Sequence, residues 1–401
     1  MRNETENIRD CFAAVMTGTG TGAISTIQIF GDSAEAVMLR IFKQTGARPA
    51  EFEGGEILLG TIGDASKVID QVTISCEGPD TFAINCHGNP LIVEMIMQLL
   101  RRHGAALLTT EQLLEKILTA QKPNGSIAAE AKIAQAKART LLGTKIIANQ
   151  IDDGLTKKAR GWLENIDVTS LDTIKTEAVE ILQKSQAAKL IIYSCTAVLT
   201  GPPNSGKSTL LNCMAGRQKA VVTDIKGTTR DWVSARCRIG PLSVKLIDTA
   251  GLNEKLQGNL GSIDESAQKK TVEILERADV VLLVLDNSRP AEEFKEQLLR
   301  KISSKKIITV LNKSDLPAQF DAGRLPEILS NTVQISAKKG TGIEKLSEKI
   351  IKTIGVENFD LQEPVCFTPR QENLLKKLTT VTSKQQTVSI ITELLNGQLS
   401  V

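Results

Sequence analysis

The chain has 401 residues, 41% of them hydrophobic and 24% charged, an ordinary globular composition that excludes wholesale disorder and collagen-like structure. Lys and Arg total 49 against 46 Asp and Glu, and a net charge of +3 is too balanced for bulk charge to imply a nucleic-acid partner. Aromatic residues make up only 3%, so a base-stacking surface is not the main design.

At roughly 100–200 residues per domain the length allows about two to four domains. No apolar run approaches the roughly 20 residues of a membrane span, so no membrane association is expected. The polar start, Met1 to Glu6, lacks the basic and apolar stretches of a signal peptide. Seven scattered cysteines form no C-x-x-C, which fits reduced thiols in a cytoplasmic protein. With only His87 and His103 beside them, a zinc-type site is not expected.

In chain order, residues 1–108 mix strand-like runs (72–75 and 82–85) with a helix over 91–102 and predict a small α+β domain. Residues 109–192 are rich in Ala, Lys, Glu, Gln and Leu. After a break at Pro123-Asn124-Gly125, 127–142 reads as one strong helix, and 171–190 as a second, amphipathic one. From Thr196 the pattern changes to near-continuous apolar strands (196–200, 244–247, 280–285, 307–311 and 333–335) alternating with helices. That pattern predicts a mostly parallel, doubly wound sheet over 193–358. Residues 371–395 are helical again, so 359–401 is expected to pack back on 109–192. The fold class is therefore an α/β P-loop domain inserted in an α-helical domain and preceded by a small α+β domain.

Gly201-Pro202-Pro203-Asn204-Ser205-Gly206-Lys207-Ser208 fits G-x-x-x-x-G-K-[ST], between a strand ending at Thr200 and a helix that continues through Thr209. Its glycines let successive N–H groups face phosphates, and the helix N-terminus adds partial positive charge. Lys207 is expected to bridge the β- and γ-phosphates and Ser208 to ligate Mg2+. Asp248-Thr249-Ala250-Gly251 follows a strand; the Asp suits a Mg2+ shell and the Gly251 N–H a γ-phosphate. Asn312-Lys313-Ser314-Asp315 follows another strand, and Asp315 can accept from guanine N1–H and its 2-amino group, neither of which adenine offers. Ser336-Ala337-Lys338 can close over the base. Gly227-Thr228-Thr229-Arg230-Asp231 is placed as a switch, with Thr229 reaching Mg2+ while GTP is bound. These pieces predict a GTP-binding, GTP-hydrolysing domain.

The water-orienting Gln that many GTPases carry after the D-x-x-G glycine is here Leu252, so transition-state charge needs another source. Asn204 and the carbonyl-rich segment Thr223 to Thr228 either make loop hydrogen bonds or hold a monovalent cation near the phosphates.

The loop at 201–208, Leu210-Leu211-Asn212, residues 222–231 (Val222, Thr223, Asp224, Ile225, Lys226, Gly227, Thr228, Thr229, Arg230, Asp231) and 246–252 resemble the MnmE (TrmE) family of tRNA-modification GTPases. Ile84-Asn85-Cys86-His87-Gly88-Asn89-Pro90 looks like that family's N-terminal signature. The resemblance implies a K+-stimulated GTPase that forms a homodimer through its N-terminal domain and across its G domains. It implies K+ at Asn204, Thr223, Ile225 and Thr228, and Mg2+ at Ser208 and Thr229. It further implies a flavoprotein partner of the MnmG (GidA) type, a tRNA substrate modified at C5 of the wobble uridine, and a tetrahydrofolate one-carbon donor.

The chain departs from the family's pattern in several places. No Cys-x-Gly-Lys tail is present. Residues 17–22 alternate Thr and Gly where the family has Pro-Pro-Gly-Arg-Gly-Gly. The folate-contacting Arg and Glu fall on Gln28 and Ala83. The water-positioning glutamate falls near Gly258, and Glu254 is the nearest carboxylate before it, so the catalytic residue is open. These departures argue against the folate derivative. They support a second expectation, a GTP-dependent switch or assembly module that kept the GTPase and lost folate-dependent chemistry. A ribosome-assembly GTPase is a weaker third, since no G-x-x-G loop of a KH module follows the G domain.

Overall fold

The computed structural model describes residues 10–18, 20, 22–46, 52–64, 67–121, 125–217, 233–248, 273–290 and 303–397. The chain forms two compact units that divide between Ala129 and Glu130.

The first unit is built on seven strands: β1 (Phe12–Val15), β2 (Ile24–Phe30), β3 (Phe42–Gln44), β4 (Ile57–Asp64), β5 (Lys67–Gly78), β6 (Thr81–His87) and β7 (Ala106–Leu107). Their order is β3-β4-β5-β6-β2-β1-β7, antiparallel except for the β1–β7 pair. Alternate residues of each strand face opposite sides. Ile27, Ile29, Val72, Ile74, Phe82 and Ile84 therefore line one face, where α1 (Ala34–Ile41) and α2 (Pro90–Arg102) bury Val37, Met38, Ile96, Leu99 and Leu100. Helix α2 begins where the Asn89 side chain accepts from the Leu91 N–H, with Pro90 in the first turn. On the opposite face Ala14 and Phe30 meet Leu113 and Ile117 of α3 (Thr110–Gln121). The expected strands at 72–75 and 82–85 lie inside β5 and β6, and the expected helix is α2. The apolar pattern does not reveal β2 and β4, whose apolar residues are interrupted by Thr, Ser, Gln and Gly, nor the short strands β1, β3 and β7.

Helix α4 (Ser126–Lys137) runs across that division, and the second unit continues with α5 (Leu141–Asp152), α6 (Gly154–Glu164) and α7 (Leu171–Ile192). The single helix expected over 127–142 is in fact two. The Arg139 N–H donates to Ile192 O (2.7 Å), and Thr140 caps α5 by accepting from the Gly143 N–H while donating to Ile191 O. These bonds to the end of α7 outweigh the helix propensity of the segment. Next comes a six-stranded sheet of β8 (Cys195–Thr200), β9 (Val233–Ile239), β10 (Leu242–Asp248), β11 (Val280–Asp286), β12 (Ile307–Asn312) and β13 (Thr332–Gln334), in the order β13-β12-β11-β8-β10-β9. All neighbours run parallel except β9, an antiparallel edge strand that the apolar pattern does not reveal. Helix α8 (Lys207–Arg217) follows β8, and α9 (Ile343–Ile354) follows β13.

The final helical stretch is also two helices, α10 (Pro369–Leu378) and α11 (Lys384–Asn396), and Ser383 caps the second. Helix α10 packs on α7 and α11 on α6. Side chains fasten the chain as it returns from the sheet. The fully buried Gln150 donates to Glu363 O and accepts from the Leu155 and Val365 N–H groups. Ser185 accepts from the Cys366 N–H, and the Tyr193 hydroxyl donates to Phe367 O. Beneath α10, Arg370 and Glu130 form a buried ion pair (2.8 Å). Arg370 also donates to the Glu393 and Leu394 carbonyls in the last turn of α11, and Gln371 donates to Glu130.

Removing one partner of a buried pair leaves the other charge uncompensated. Arg370→Ala is expected to destabilise the second unit by about 3–5 kcal/mol, read by urea denaturation. A second outcome concerns acid. Hydrogen bonds from Lys189 and Lys376 hold the Glu372 carboxyl at about 2, against an ordinary 4.5. A lowered folded-state value contributes stability that is complete above the unfolded value and disappears as pH falls through the folded one. Glu372→Gln should therefore lower the melting temperature at pH 7, and the gap to wild type should close between pH 4.5 and about 2.

Candidate functional site

The site lies at the carboxyl ends of the parallel strands, where open α/β sheets place their ligands. Strand β8 ends at Thr200 and the chain turns through 201–206 into α8. Two glycines make this turn possible. Gly201 has φ +138°, and a Cβ there would lie 2.1 Å from Val284 O of β11; Gly206 has φ +94°, and its Cβ would lie 2.2 Å from the Asn312 amide nitrogen. Asn204 is exposed and left-handed at φ 59°. Its side chain makes no hydrogen bond among the described residues. The Ser205 hydroxyl is buried and has no partner among them.

Lys207 is buried, and its ammonium donates to the carbonyls of Gly201 (3.0 Å) and Pro202 (2.7 Å). The cation and the first turn of α8 thus serve one concave backbone loop, an arrangement that suits a polyphosphate. Ser208 and Thr209 are exposed on that turn. The Ser208 hydroxyl donates to Asp248 (2.6 Å), the buried last residue of β10. A hydroxyl and a carboxylate at this separation form a hard-oxygen donor set of the kind Mg2+ takes.

Asn312 ends β12 and is buried. Its amide donates to Ser205 O (2.9 Å) and its oxygen accepts from the Ala337 N–H (3.0 Å). Lys313 follows at φ 63° and donates to Asp286 at the end of β11 (2.6 Å). Burial pushes the Asp286 carboxyl up, but hydrogen bonds from Lys313 and Ser288 outweigh it and hold it below the ordinary value. The exposed Ser314 donates its N–H to Ile335 O. Asp315 accepts from the Ser336 hydroxyl (2.6 Å); that bond, assisted by Lys339 and Lys338, keeps its carboxyl below the usual range. Ser336 and Ala337 are buried and Lys338 is exposed, in a loop closed by paired backbone bonds between Ser336 and Thr341.

The structure thus brings Asn204, Ser205, Gly206, Lys207, Ser208, Thr209, Asp248, Asn312, Lys313, Ser314, Asp315, Ser336, Ala337 and Lys338 to one end of one sheet. Thr223, Asp224, Ile225, Lys226, Gly227, Thr228, Thr229, Thr249, Ala250, Gly251 and Glu254 lie outside the described residues. Sequence reasoning missed Asp286, although an Asp closing the apolar run 280–285 was a usable signal. It also took Asn312 only as part of a base-reading motif, whereas its side chain ties three loops together.

In the first unit, Gln28 and Ala83 are direct partners across β2 and β6, and the Gln28 amide donates to Glu77 (2.9 Å). The 84–90 stretch closes β6 and caps α2, and His87 is held to Asp70 through both its ring (2.7 Å) and its backbone N–H (2.8 Å).

Residues 196–313 match the family described as 50S ribosome-binding GTPase, and residues 11–111 match the GTP-binding protein TrmE N-terminus. The tRNA modification GTPase MnmE of Clostridioides difficile is 30% identical over 86% of this chain and 81% of its own length. That of Lacticaseibacillus paracasei is 31% identical over 92% and 86%. Among solved structures, the G domain of the T. maritima FeoB iron transporter is 28% identical, covering 40% of this chain and 99% of its own, with a TM-score of 0.30.

Proposed function

The chain belongs to the MnmE family of tRNA modification GTPases and is a GTP hydrolase, and from that premise we propose that it couples K+-stimulated, Mg2+-dependent GTP hydrolysis to C5 modification of the tRNA wobble uridine. The observation that carries the nucleotide reading is the convergence of Lys207, Asp248 and Asp315 at one end of the sheet, with their loops fastened by Asn312.

In this reading the triphosphate lies along 201–208. The Lys207 ammonium moves from the Gly201 and Pro202 carbonyls to the β- and γ-phosphates, where it offsets charge that builds as the terminal phosphoryl group leaves. The α8 N-terminus and the unpartnered Ser205 hydroxyl face the same anion. Ser208 and Thr229 hold Mg2+, with Asp248 behind Ser208; when bound, the ion neutralises phosphate charge. Asn204, Thr223, Ile225 and Thr228 hold K+, which would supply the charge that an arginine finger supplies elsewhere. An exposed Asn204 side chain without a partner among the described residues favours this over a loop hydrogen bond. Thr223 to Thr229, with Thr249, Ala250 and Gly251, complete the phosphate contacts, and Glu254 is the candidate to position water.

Asp315 reads guanine through N1–H and the 2-amino group, under cover of Ser336, Ala337 and Lys338. Ser336 occupies one carboxylate oxygen and keeps the group ionised, so the acceptor is oriented before the base arrives. Adenine would leave that carboxylate unmatched, at a cost of about 1–3 kcal/mol or more. The protein works as a homodimer in the cytoplasm, with a flavoprotein of the MnmG (GidA) type and tRNA as partners.

One observation favours the second reading, a GTP-dependent switch or assembly module without folate chemistry. The positions where the family's folate-contacting Arg and Glu fall are cross-strand neighbours here, Gln28 and a buried Ala83. A buried methyl group offers no acceptor, and the Gln28 amide already serves Glu77. This row does not fit a pterin.

K+ should raise GTP turnover over Na+ by about tenfold or more, a difference of about 1.4 kcal/mol in the barrier, and Asn204→Lys should abolish the preference. Equal rates in the two salts would refute the cation site. Mass spectrometry of wobble uridines from cells with and without the gene tests the tRNA role. Loss of the C5 group is expected on deletion; an unchanged nucleoside profile would leave the switch reading in its place.

A further inference from the structure

The loop after β12 is anchored from β11, a strand that carries no nucleotide motif of its own. Strand β11 ends in Asp286, and Asn287 follows it. Asp286 is the register partner of Asn312, and its side chain is only 10% exposed. One carboxylate oxygen accepts from the Lys313 ammonium at 2.6 Å, and the other accepts from the Ser288 hydroxyl (2.6 Å) and N–H (3.0 Å). Arg289 approaches the first oxygen at 3.5 Å. Asn287, also buried, donates its N–H to Asn312 O (2.8 Å) and accepts from the Gln319 and Phe320 N–H groups (2.9 and 3.2 Å). The loop from Asn312 to Phe320 is therefore held at both ends by the last residue of β11, Asp286, and by Asn287 directly after it.

We propose that Asp286 is a positioning residue for guanine-nucleotide binding, fixing Lys313 along one side of the base pocket before the nucleotide arrives. The inference rests on the reading above that Lys313 and Asp315 face guanine. Lys313 lies between the residue that ties this loop to 201–206 and the residue that reads the base. Its backbone sits in the left-handed region, which a residue with a Cβ enters only when its surroundings hold it there. A lysine stem has four rotatable bonds, and ordering it on binding would reduce affinity. With its ammonium already on a buried carboxylate, that ordering is complete in the free protein. The carboxylate suits this task because Ser288 satisfies its other oxygen, leaving Lys313 as its principal cationic partner.

The test is a double-mutant cycle on the full chain, read by titration with N-methylanthraniloyl-GDP in Mg2+. Asp286→Asn alone should weaken binding about fivefold or more, while in a Lys313→Met background the same change should cost less than about twofold. A purely structural contribution of Asp286 would lower affinity equally in both backgrounds, and that result overturns the proposal. So does an Asp286→Asn protein that binds like wild type. Melting curves without nucleotide identify folded variants; should Asp286→Asn fail to fold, Asp286→Ser is read by the same rule. Lys313→Met and Asp315→Asn serve as separate controls. If both bind like wild type, the base-reading assignment itself is wrong. If both weaken binding while Asp286→Asn does not, only the positioning role is lost.

Discussion

The Asn312 side chain imposes the constraint on which the nucleotide end depends. One carboxamide donates to the turn after β8 and accepts from the loop after β13, while its own backbone ends β12. Three loops separated by up to 132 positions in sequence are thereby held at fixed spacing. Gly206 is required for the same reason, because any Cβ there would strike the Asn312 amide nitrogen. Both polar ends of the amide are satisfied in a buried place, where an unmet donor or acceptor would be costly. The tie links the turn after β8 to the loops after β12 and β13 without a covalent bond.

The parallel sheet gives this tie a rigid base. Strands β11 and β12 are buried along nearly their whole length, so their carboxyl ends have little freedom to move. Asp248, Asp286 and Asn312 are the last residues of three of the sheet's strands; Asp248 accepts from Ser208 in the first turn of α8, Asp286 accepts from Lys313, and Asn312 donates to Ser205 O. The polar groups are placed by strand length and register, while the loops carry the chemistry.

The helical part of the second unit relies on a different device. There the returning segment 363–367 forms no strand, and side chains from three helices satisfy its backbone: Gln150 of α5, Ser185 of α7 and Gln371 of α10, with Tyr193 just after α7. A segment buried without such partners would leave its peptide groups unpaired. The Glu130–Arg370 pair extends the same principle to the end of α11, where Arg370 donates to the Leu394 carbonyl and to the Glu393 carbonyl, which also accepts from the Gly397 N–H.

Sequence by itself determined the class of the sheet domain and marked many of the residues that the fold gathers at one end of the sheet. Four of its five expected apolar strands, at 196–200, 244–247, 307–311 and 333–335, are each followed by a motif expected to meet phosphate or base, a pattern that leaves few alternative fold classes. It also located α2, α7 and seven of the strands, β5, β6, β8, β10, β11, β12 and β13. What only the tertiary structure decided are matters of contact between residues distant in the chain. Helix propensity alone could not divide 127–142, because the break depends on carbonyls at the end of α7. The edge strand β9 carries Ser and Arg residues that read as loop until β10 pairs with it. Asp286 and the stapling role of Asn312 were hidden for the same reason: a local pattern records what a residue can donate or accept, and folding alone selects the partner.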